Sequence, residues 1–594
     1  MSEIFAVRER WGVCILMRDG VRLVGDVYLP DKRVDTNQKD EGLQNSWPAI
    51  VVRTPYGRSS DDLVDQGRYF AAQGYAVIQL DVRGRGDSEG EFIPYRNEGR
   101  DGYDTIEWTA RQPWCNGNVG TLGGSYLGRI QWLTALHHPP HLKAMIPLVA
   151  PSDPFVEWPT GTPGPMHLCW LFLTSGRTMQ NMNKVDWSRV YGHLPLRTMD
   201  EVCGRSIPAW SEEIAHPYLD DWWRELSYQS HFNEINLPVL HISGWYDDEQ
   251  IGTPLNFSGM VQHAPSEWAR QAQRLVMGPW GHHVNESTRL GPLDFGPDAV
   301  IDLLGLQVRF FDRWLKGQIN GIDTEPKVTY FVMGMNQWQS AATWPPQGVA
   351  YTPWYLSSNG HANGYPGDGV LIADAAMLPS PRGHGVNRRQ DEPSNSEKWI
   401  AAIFDTYSYN PRDPVPFLTE PTSSQIGGPD DYQTVHQRRD VLVYTSAPLT
   451  ESVQIVGPVK VELYAKTSAP DTDFMAQLHD VWPNGYAQRL CDGMVRSRFR
   501  HGMDQPELLS PNELVKYVID LWNTAHVFLP GHRIRVHVTS SAFPKYDRNP
   551  NTADDLGTSE RMEIAVQTVY HDSDHPSAVI LPMMPGKDMS INLH

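Results

Sequence analysis

Residues 118–138 read NVGTLGGSYLGRIQWLTALHH, and their interpretation decides the fold. Asn118 to Leu122 has the apolar character of a strand. The stretch after Ser125 is helical in pattern and stops before Pro139 and Pro140, as helices do. Between the two lies Gly123-Gly124-Ser125-Tyr126-Leu127-Gly128. A serine on a sharp strand-to-helix turn projects its hydroxyl from the carboxyl edge of a sheet. Flanking glycines suit a turn that strains the backbone and packs closely. The helix that follows aims its positive end at the site, which favours developing negative charge. The usual pattern is G-x-S-x-G, whereas here the second glycine falls one residue later.

Upstream and downstream of this stretch, short apolar runs alternate with helical patterns. Ala49 to Arg53, Ala76 to Asp81 (entered through Gly74) and Ala144 to Val149 read as strands. From about Asp153 to Glu234 tryptophans cluster among Gly/Pro breaks and helical patches, which reads as an insertion. Strands resume at Leu237 to Ser243 and Arg274 to Met277. Strands and helices in alternation imply βαβ units around a mostly parallel sheet. Beyond about residue 340 the helical signal fades, and residues 357–397 are rich in Gly, Pro, Ser and Asn, as loops are. The β-branched runs VLVYT at 441, VKVELYA at 459 and RIRVHVTS at 533 then predict an all-β sandwich or jelly roll.

A serine hydroxyl needs a base to take its proton, and the base needs an orienting carboxylate. On this scaffold the chain order is Ser, then Asp, then His, each after a strand. The strand LPVLHIS leads into Gly244-Trp245-Tyr246-Asp247, and RLVM leads into Gly278-Pro279-Trp280-Gly281-His282. By chemistry alone Asp248 serves as well as Asp247, and His283 as well as His282. Taken singly, each is most simply a turn residue; the agreement of three motifs at strand ends favours catalysis. Adjacent histidines point apart, so no metal is expected.

The chain has 594 residues, 50 basic and 70 acidic, for a net charge of −20. An acidic surface repels phosphate backbones, so nucleic acid is not an expected partner. The start, MSEIFAVRERWGVC, carries charges and no signal-like apolar run, and no run of ~18 apolar residues suggests a membrane span. Five scattered cysteines without a CxxC predict neither a disulfide framework nor zinc and suit a cytoplasmic setting.

The motifs together resemble the cocaine esterase family, which also holds α-amino acid ester hydrolases, glutaryl-cephalosporin acylases and Xaa-Pro dipeptidyl-peptidases. The resemblance rests on RTPYGR at 53, LDVRGRGDSEGEF at 80, GGSYLG at 123, GWYD at 244 and GPWGH at 278. RRDVLVYTSAPL at 438, SAPDTDF at 468 and FPKYDRNPN at 543 extend it to the carboxyl-terminal third. The longer serine spacing is the family's own. The resemblance implies an α/β-hydrolase core (1–152 and 236–342), a helical cap insertion (153–235) and a C-terminal β jelly roll (343–594). It implies Ser125 as nucleophile, Asp247 rather than Asp248 as carboxylate and His282 rather than His283 as base. The backbone N–H of Tyr126 and the phenol of Tyr56 would form the oxyanion hole. No cofactor is implied, and self-association as a homo-oligomer is.

Glu249 matches a position where α-amino ester hydrolases carry an ammonium-binding acid, although Gln250 stands where a second acid belongs; Asp153 or Glu157 could supply a third. The insertion's tryptophans, Trp158 and Trp170 among them, are expected to serve as cap core and to wall an acyl pocket. The expected activity is hydrolysis of small esters or amides through an acyl-enzyme. The alternatives are release of Xaa-Pro dipeptides, a metallohydrolase, or a carbohydrate-binding jelly roll on an inactive core.

Overall fold

A computed structural model describes residues 5–33, 46–364, 366–380 and 403–585. Ten strands form the first sheet. They are β1 (Phe5–Leu16), β2 (Arg22–Arg33), β3 (Trp47–Thr54), β4 (Ala76–Asp81), β5 (Cys115–Gly124), β6 (Leu142–Leu148), β7 (Val239–Gly244), β8 (Gln273–Gly278), β9 (Val328–Val332) and β10 (Gln337–Ala341). Their spatial order is β1-β2-β4-β3-β5-β6-β7-β8-β9-β10. From β4 to β9 every pairing is parallel. The pairs β1–β2, β2–β4 and β9–β10 are antiparallel.

All six residues of β4, β7 and β8 are buried, as strands covered on both faces must be. Alternate residues divide between two apolar clusters. Ala49, Val51, Ala76 and Ile78 join Ile106, Trp132 and Met260, whereas Ile50, Val52 and Val77 join Phe70, Phe310 and Phe311. Helices α1 (Asp61–Ala72), α2 (Glu98–Ala110) and α3 (Tyr126–Ala135) supply several of these residues.

Between Leu148 and Val239 the chain leaves the sheet for short helices, of which α4 (Pro165–Thr174) matters most to the site. Met166, Leu168, Trp187, Tyr191 and Trp210 form its own small core. After β10 an 11-stranded, largely antiparallel sheet builds the sandwich. Its longest ladder pairs Val453–Thr467 with Val515–Phe528. The architecture is an α/β-hydrolase core with a helical cap and a carboxyl-terminal jelly roll. Trp245, Tyr246 and Phe331 of the core share one cluster with Val461 and Leu463 of the sandwich, so the two units are packed continuously. Among the described residues no helix is long and apolar enough to cross a membrane.

From Phe5 the charged amino-terminal stretch forms edge strand β1, whose mixed exposure lets Arg8 and Arg10 face outward. Two local expectations are corrected. Helix α3 ends at Ala135, three residues early, because His138 adopts φ 52°. Within the expected loop at 357–397, Val370–Ile372 is a short strand, and residues 381–397 lie outside the described residues.

Candidate active site

Ser125 sits between β5 and α3 with φ 58° and ψ −128°, a strained conformation for a side chain with a Cβ. Its N–H donates to the Leu148 carbonyl at 3.0 Å, which fastens the turn to the end of β6. A Cβ on Gly128 would lie 2.8 Å from that same carbonyl oxygen and 2.9 Å from Ala150 Cβ. The second glycine therefore stands where α3 crosses β6 most closely, and that contact explains its longer spacing. Tyr126 opens α3, so its N–H has no acceptor within the helix and is free to serve a ligand. Its buried phenol is spent elsewhere, donating to Glu98 Oε1 at 2.8 Å and accepting from the Tyr95 N–H at 3.1 Å.

The loops after β7 and β8 are bonded to each other. Trp245 N–H donates to the Gly278 carbonyl at 3.0 Å and Tyr246 N–H to the Trp280 carbonyl at 2.9 Å. Gly244 permits this, since a Cβ there would meet the Trp280 oxygen at 2.2 Å. The pairing brings Asp247 Oδ1 within 2.9 Å of His282 Nδ1. Ser243 Oγ donates to Asp247 Oδ2 at 3.1 Å, so both carboxylate oxygens are held. Asp247 is fully buried, while His282 keeps 22% of its side chain exposed. His283 turns instead to Glu286, 3.6 Å away, with most of its ring exposed. Asp248 is not bonded to the imidazole; burial, then Asp247, pushes its carboxyl up to about 6.

The Tyr56 loop follows β3. Its N–H donates to Thr54 Oγ1 at 3.0 Å, and its hydroxyl accepts the Trp170 indole N–H at 2.9 Å and has the Ser125 side chain as a polar neighbour. Burial pushes the phenol up to about 12, so it remains a donor at neutral pH. Arg85, fully buried, ties loop to cap: Nε donates to the Pro55 carbonyl and Nη1 to the Thr174 carbonyl at the end of α4, both at 2.6 Å. Arg58 pairs with Asp26 at 3.0 Å and also with Asp81 and Asp87. Arg85 thus holds the Tyr56 loop through Pro55, and Arg58 anchors its far end.

Around this centre gather carboxyl groups. Glu249 Oε2 lies 4.0 Å from His282 Nδ1 and is buried without a hydrogen-bond partner. Burial first, then Asp247, Glu157 and Asp248, raises Glu249 well above the usual carboxylate range, against the pull of His282. Burial likewise raises Glu157 to about 8, opposed by Arg129. Despite burial, Asp247, Glu249 and Asp248 raise His282 to about 10. Asp153 spends its carboxylate on the N–H groups of Tyr228 (2.9 Å) and Gln229 (3.2 Å), and Gln250 Nε2 donates to the Asn523 carbonyl at 2.9 Å. Of the two candidate third acids, Glu157 is therefore the one that couples to Glu249. Asp247, Asp248 and His282 could together offer a cation three ligand atoms within 4.8 Å of one another. Of the two imidazole nitrogens, Nδ1 is already engaged by Asp247.

Trp170 stacks against Tyr95, Tyr126 and His167. Trp158 packs on His167 and Trp223. Ser243 and Gln425 are contacts that the sequence did not reveal. Gln425 Oε1 accepts the His282 N–H at 2.7 Å, and no motif marks that segment.

The chain is similar to known hydrolases over nearly its whole length. Residues 19–284 match the X-Pro dipeptidyl-peptidase (S15 family), and residues 320–580 match the X-Pro dipeptidyl-peptidase C-terminal non-catalytic domain. The sequence is 34% identical over 607 residues to cocaine esterase of Rhodococcus sp. (strain MB1 Bresler), covering 96% of this chain and 98% of that one. A solved α-amino acid ester hydrolase and an aminopeptidase from a marine-sediment Thaumarchaeota archaeon each superpose with a TM-score of 0.79. Each is 26% identical, with 98% of this chain and 97% of theirs covered. A strand-to-helix serine after β5, an Asp–His pair after β7 and β8 and matches across both halves lead to one assignment: the chain belongs to the X-Pro dipeptidyl-peptidase (S15) family of hydrolases, together with cocaine esterase.

Proposed function

We propose that the protein is a serine hydrolase that cleaves small carboxylic esters or amides through an acyl-enzyme. The observation that carries this is the convergence of the Tyr56 phenol on Ser125, with the Asp247–His282 pair presented from the neighbouring strand ends. In this reading Ser125 Oγ attacks the carbonyl carbon while His282 Nε2 takes its proton. Asp247, bonded to Nδ1, fixes the tautomer and stabilises the imidazolium. The oxyanion is received by the Tyr56 O–H and the Tyr126 N–H, both aimed before the charge develops. Collapse expels the alcohol or amine, protonated by His282. Water, deprotonated by the same imidazole, then releases the acid and restores Ser125.

A fluorophosphonate probe should label the wild-type protein at Ser125, and Ser125→Ala should lose both labelling and turnover. Turnover retained by Ser125→Ala refutes the assignment.

A second reading concerns the acyl group. The orphaned Glu249 Oε2, buried beside Glu157, supports recognition of a substrate α-ammonium. Glu249→Gln should then raise KM for α-amino esters while sparing matched esters without the amine. Equal loss on both series assigns Glu249 to general site structure.

A further inference from the structure

Gln425 belongs to the sandwich, yet it lies against both loops that carry the Asp–His pair. Its Oε1 accepts the His282 backbone N–H at 2.7 Å, and its Nε2 donates to the Tyr246 carbonyl at 3.0 Å and to the Gly427 carbonyl at 2.8 Å. Both N–H bonds and the carbonyl of the side chain are thereby used. One bonded group is His282 itself, and another is the peptide carbonyl that precedes Asp247.

The fit is close. A Cβ on Gly281 would lie 2.1 Å from Gln425 Oε1, so the glycine of GPWGH makes room for this amide. The Gln425 loop is braced from within: Gly427 N–H donates to Thr419 Oγ1 at 2.9 Å, and that hydroxyl donates to the Gln425 carbonyl at 3.3 Å. Two other sandwich contacts, Gln488 Nε2 to Tyr246 Oη at 2.8 Å and Gln250 Nε2 to the Asn523 carbonyl, grip only the Asp247 loop. Among the described residues, Gln425 is a sandwich side chain whose hydrogen bonds span both loops.

We infer that Gln425 is a positioning residue of the reaction: an amide from the jelly roll locks the register between Asp247 and His282 that the loop-to-loop backbone bonds establish. The inference rests on the triad reading above. If the loops slide apart, the Asp247–His282 bond of 2.9 Å lengthens, and the imidazole loses both orientation and the carboxylate that stabilises its charged form.

The test uses the full chain, with Gln425→Met to keep volume without the hydrogen bonds and Gln425→Ala as the truncation. Active sites are counted by fluorophosphonate titration, so rates refer only to correctly folded molecules. The expected result for Gln425→Met is a plateau kcat/KM per titrated site lower by ~10²-fold, the scale of a 1 Å misplacement. The acid limb of its pH profile should also move to lower pH, because a slackened Asp247 contact stabilises the imidazolium less. A role in folding alone predicts a lower Tm with per-site kcat/KM within twofold of wild type and an unmoved limb, and that outcome overturns the inference. Should Gln425→Ala fail to fold, Gln425→Met still decides. Failure of the wild-type protein itself to label at Ser125 is a separate result, which removes the triad reading and this inference with it.

Discussion

Tyr56 shows how one phenol is made into a directional donor. The Trp170 indole N–H occupies its oxygen from one side at 2.9 Å, while the Ser125 side chain is a polar neighbour of the same hydroxyl. Because burial keeps this phenol protonated to about 12, it donates throughout the working range of an imidazole base. Tyr56→Phe should therefore lower kcat by about 10²–10³-fold with little change in KM, as loss of one oxyanion donor does. A change confined to KM would place the phenol in ground-state binding. The neighbouring charges set the pH response. Anionic neighbours raise His282 by favouring imidazolium, and a base must be neutral, so activity should rise with pH later than an ordinary imidazole allows. Asp248→Asn removes one such charge, since that carboxyl is ionised above about 6, and the acid limb of kcat/KM should shift downward. An upward shift would contradict the assigned sign.

At the scale of single elements, close approach and burial explain features that chemistry alone does not. The strand pair Asp473–Val481 and Arg533–Thr539 brings His479 and His537 together inside the sandwich with ring centroids 4.1 Å apart. None of their four ring nitrogens has a hydrogen-bond partner. Burial holds both well below the usual imidazole range, with Arg535 and the neighbouring histidines adding to it. The unfolded chain takes up protons near pH 6.5 that the folded state refuses until much lower pH. The stability these neutral rings confer is therefore complete above about pH 6.5 and is lost as pH falls below it. His537→Leu should make the fall of Tm between pH 6.5 and pH 5 shallower than in wild type, read by thermal melts across that range. An unchanged slope would show that other groups govern acid stability.

Across the molecule the jelly roll is part of the active enzyme's frame. It shares an apolar cluster with β9 and the Asp247 loop, and it grips the core through Gln425, Gln488 and Asn523. The cap is tied in as well: Arg496 of the sandwich donates to the Thr160 carbonyl at 2.8 Å while paired with Asp473. The motifs SAPDTDF and FPKYDRNPN fall on this seam, since Asn549 Nδ2 donates to Asp471 and Asp473, both at 2.9 Å. A chain ending at residue 341 should expose that shared cluster, and is expected to aggregate and to give no fluorophosphonate labelling. A soluble, labelled fragment would show the core to be autonomous.

The amino-acid sequence by itself determined the parallel sheet and the strand ends at Ser125, Asp247 and His282. Apolar runs of the right length and glycine turns are local signals, and the order Ser, Asp, His follows from them. It did not reveal β1, whose alternating charges suit a sheet edge, or β2, which is buried between β1 and β4. Family resemblance, and not spacing, separated Asp247 from Asp248 and His282 from His283. In the tertiary structure His282 is bonded to Asp247, and His283 turns to Glu286. Only the fold brought Gln425 and Arg85 to the site, left one oxygen of Glu249 unpartnered, and spent Asp153 and Gln250 on neighbouring backbone. These are contacts between segments far apart in the chain, fixed by three-dimensional packing and invisible to any local pattern.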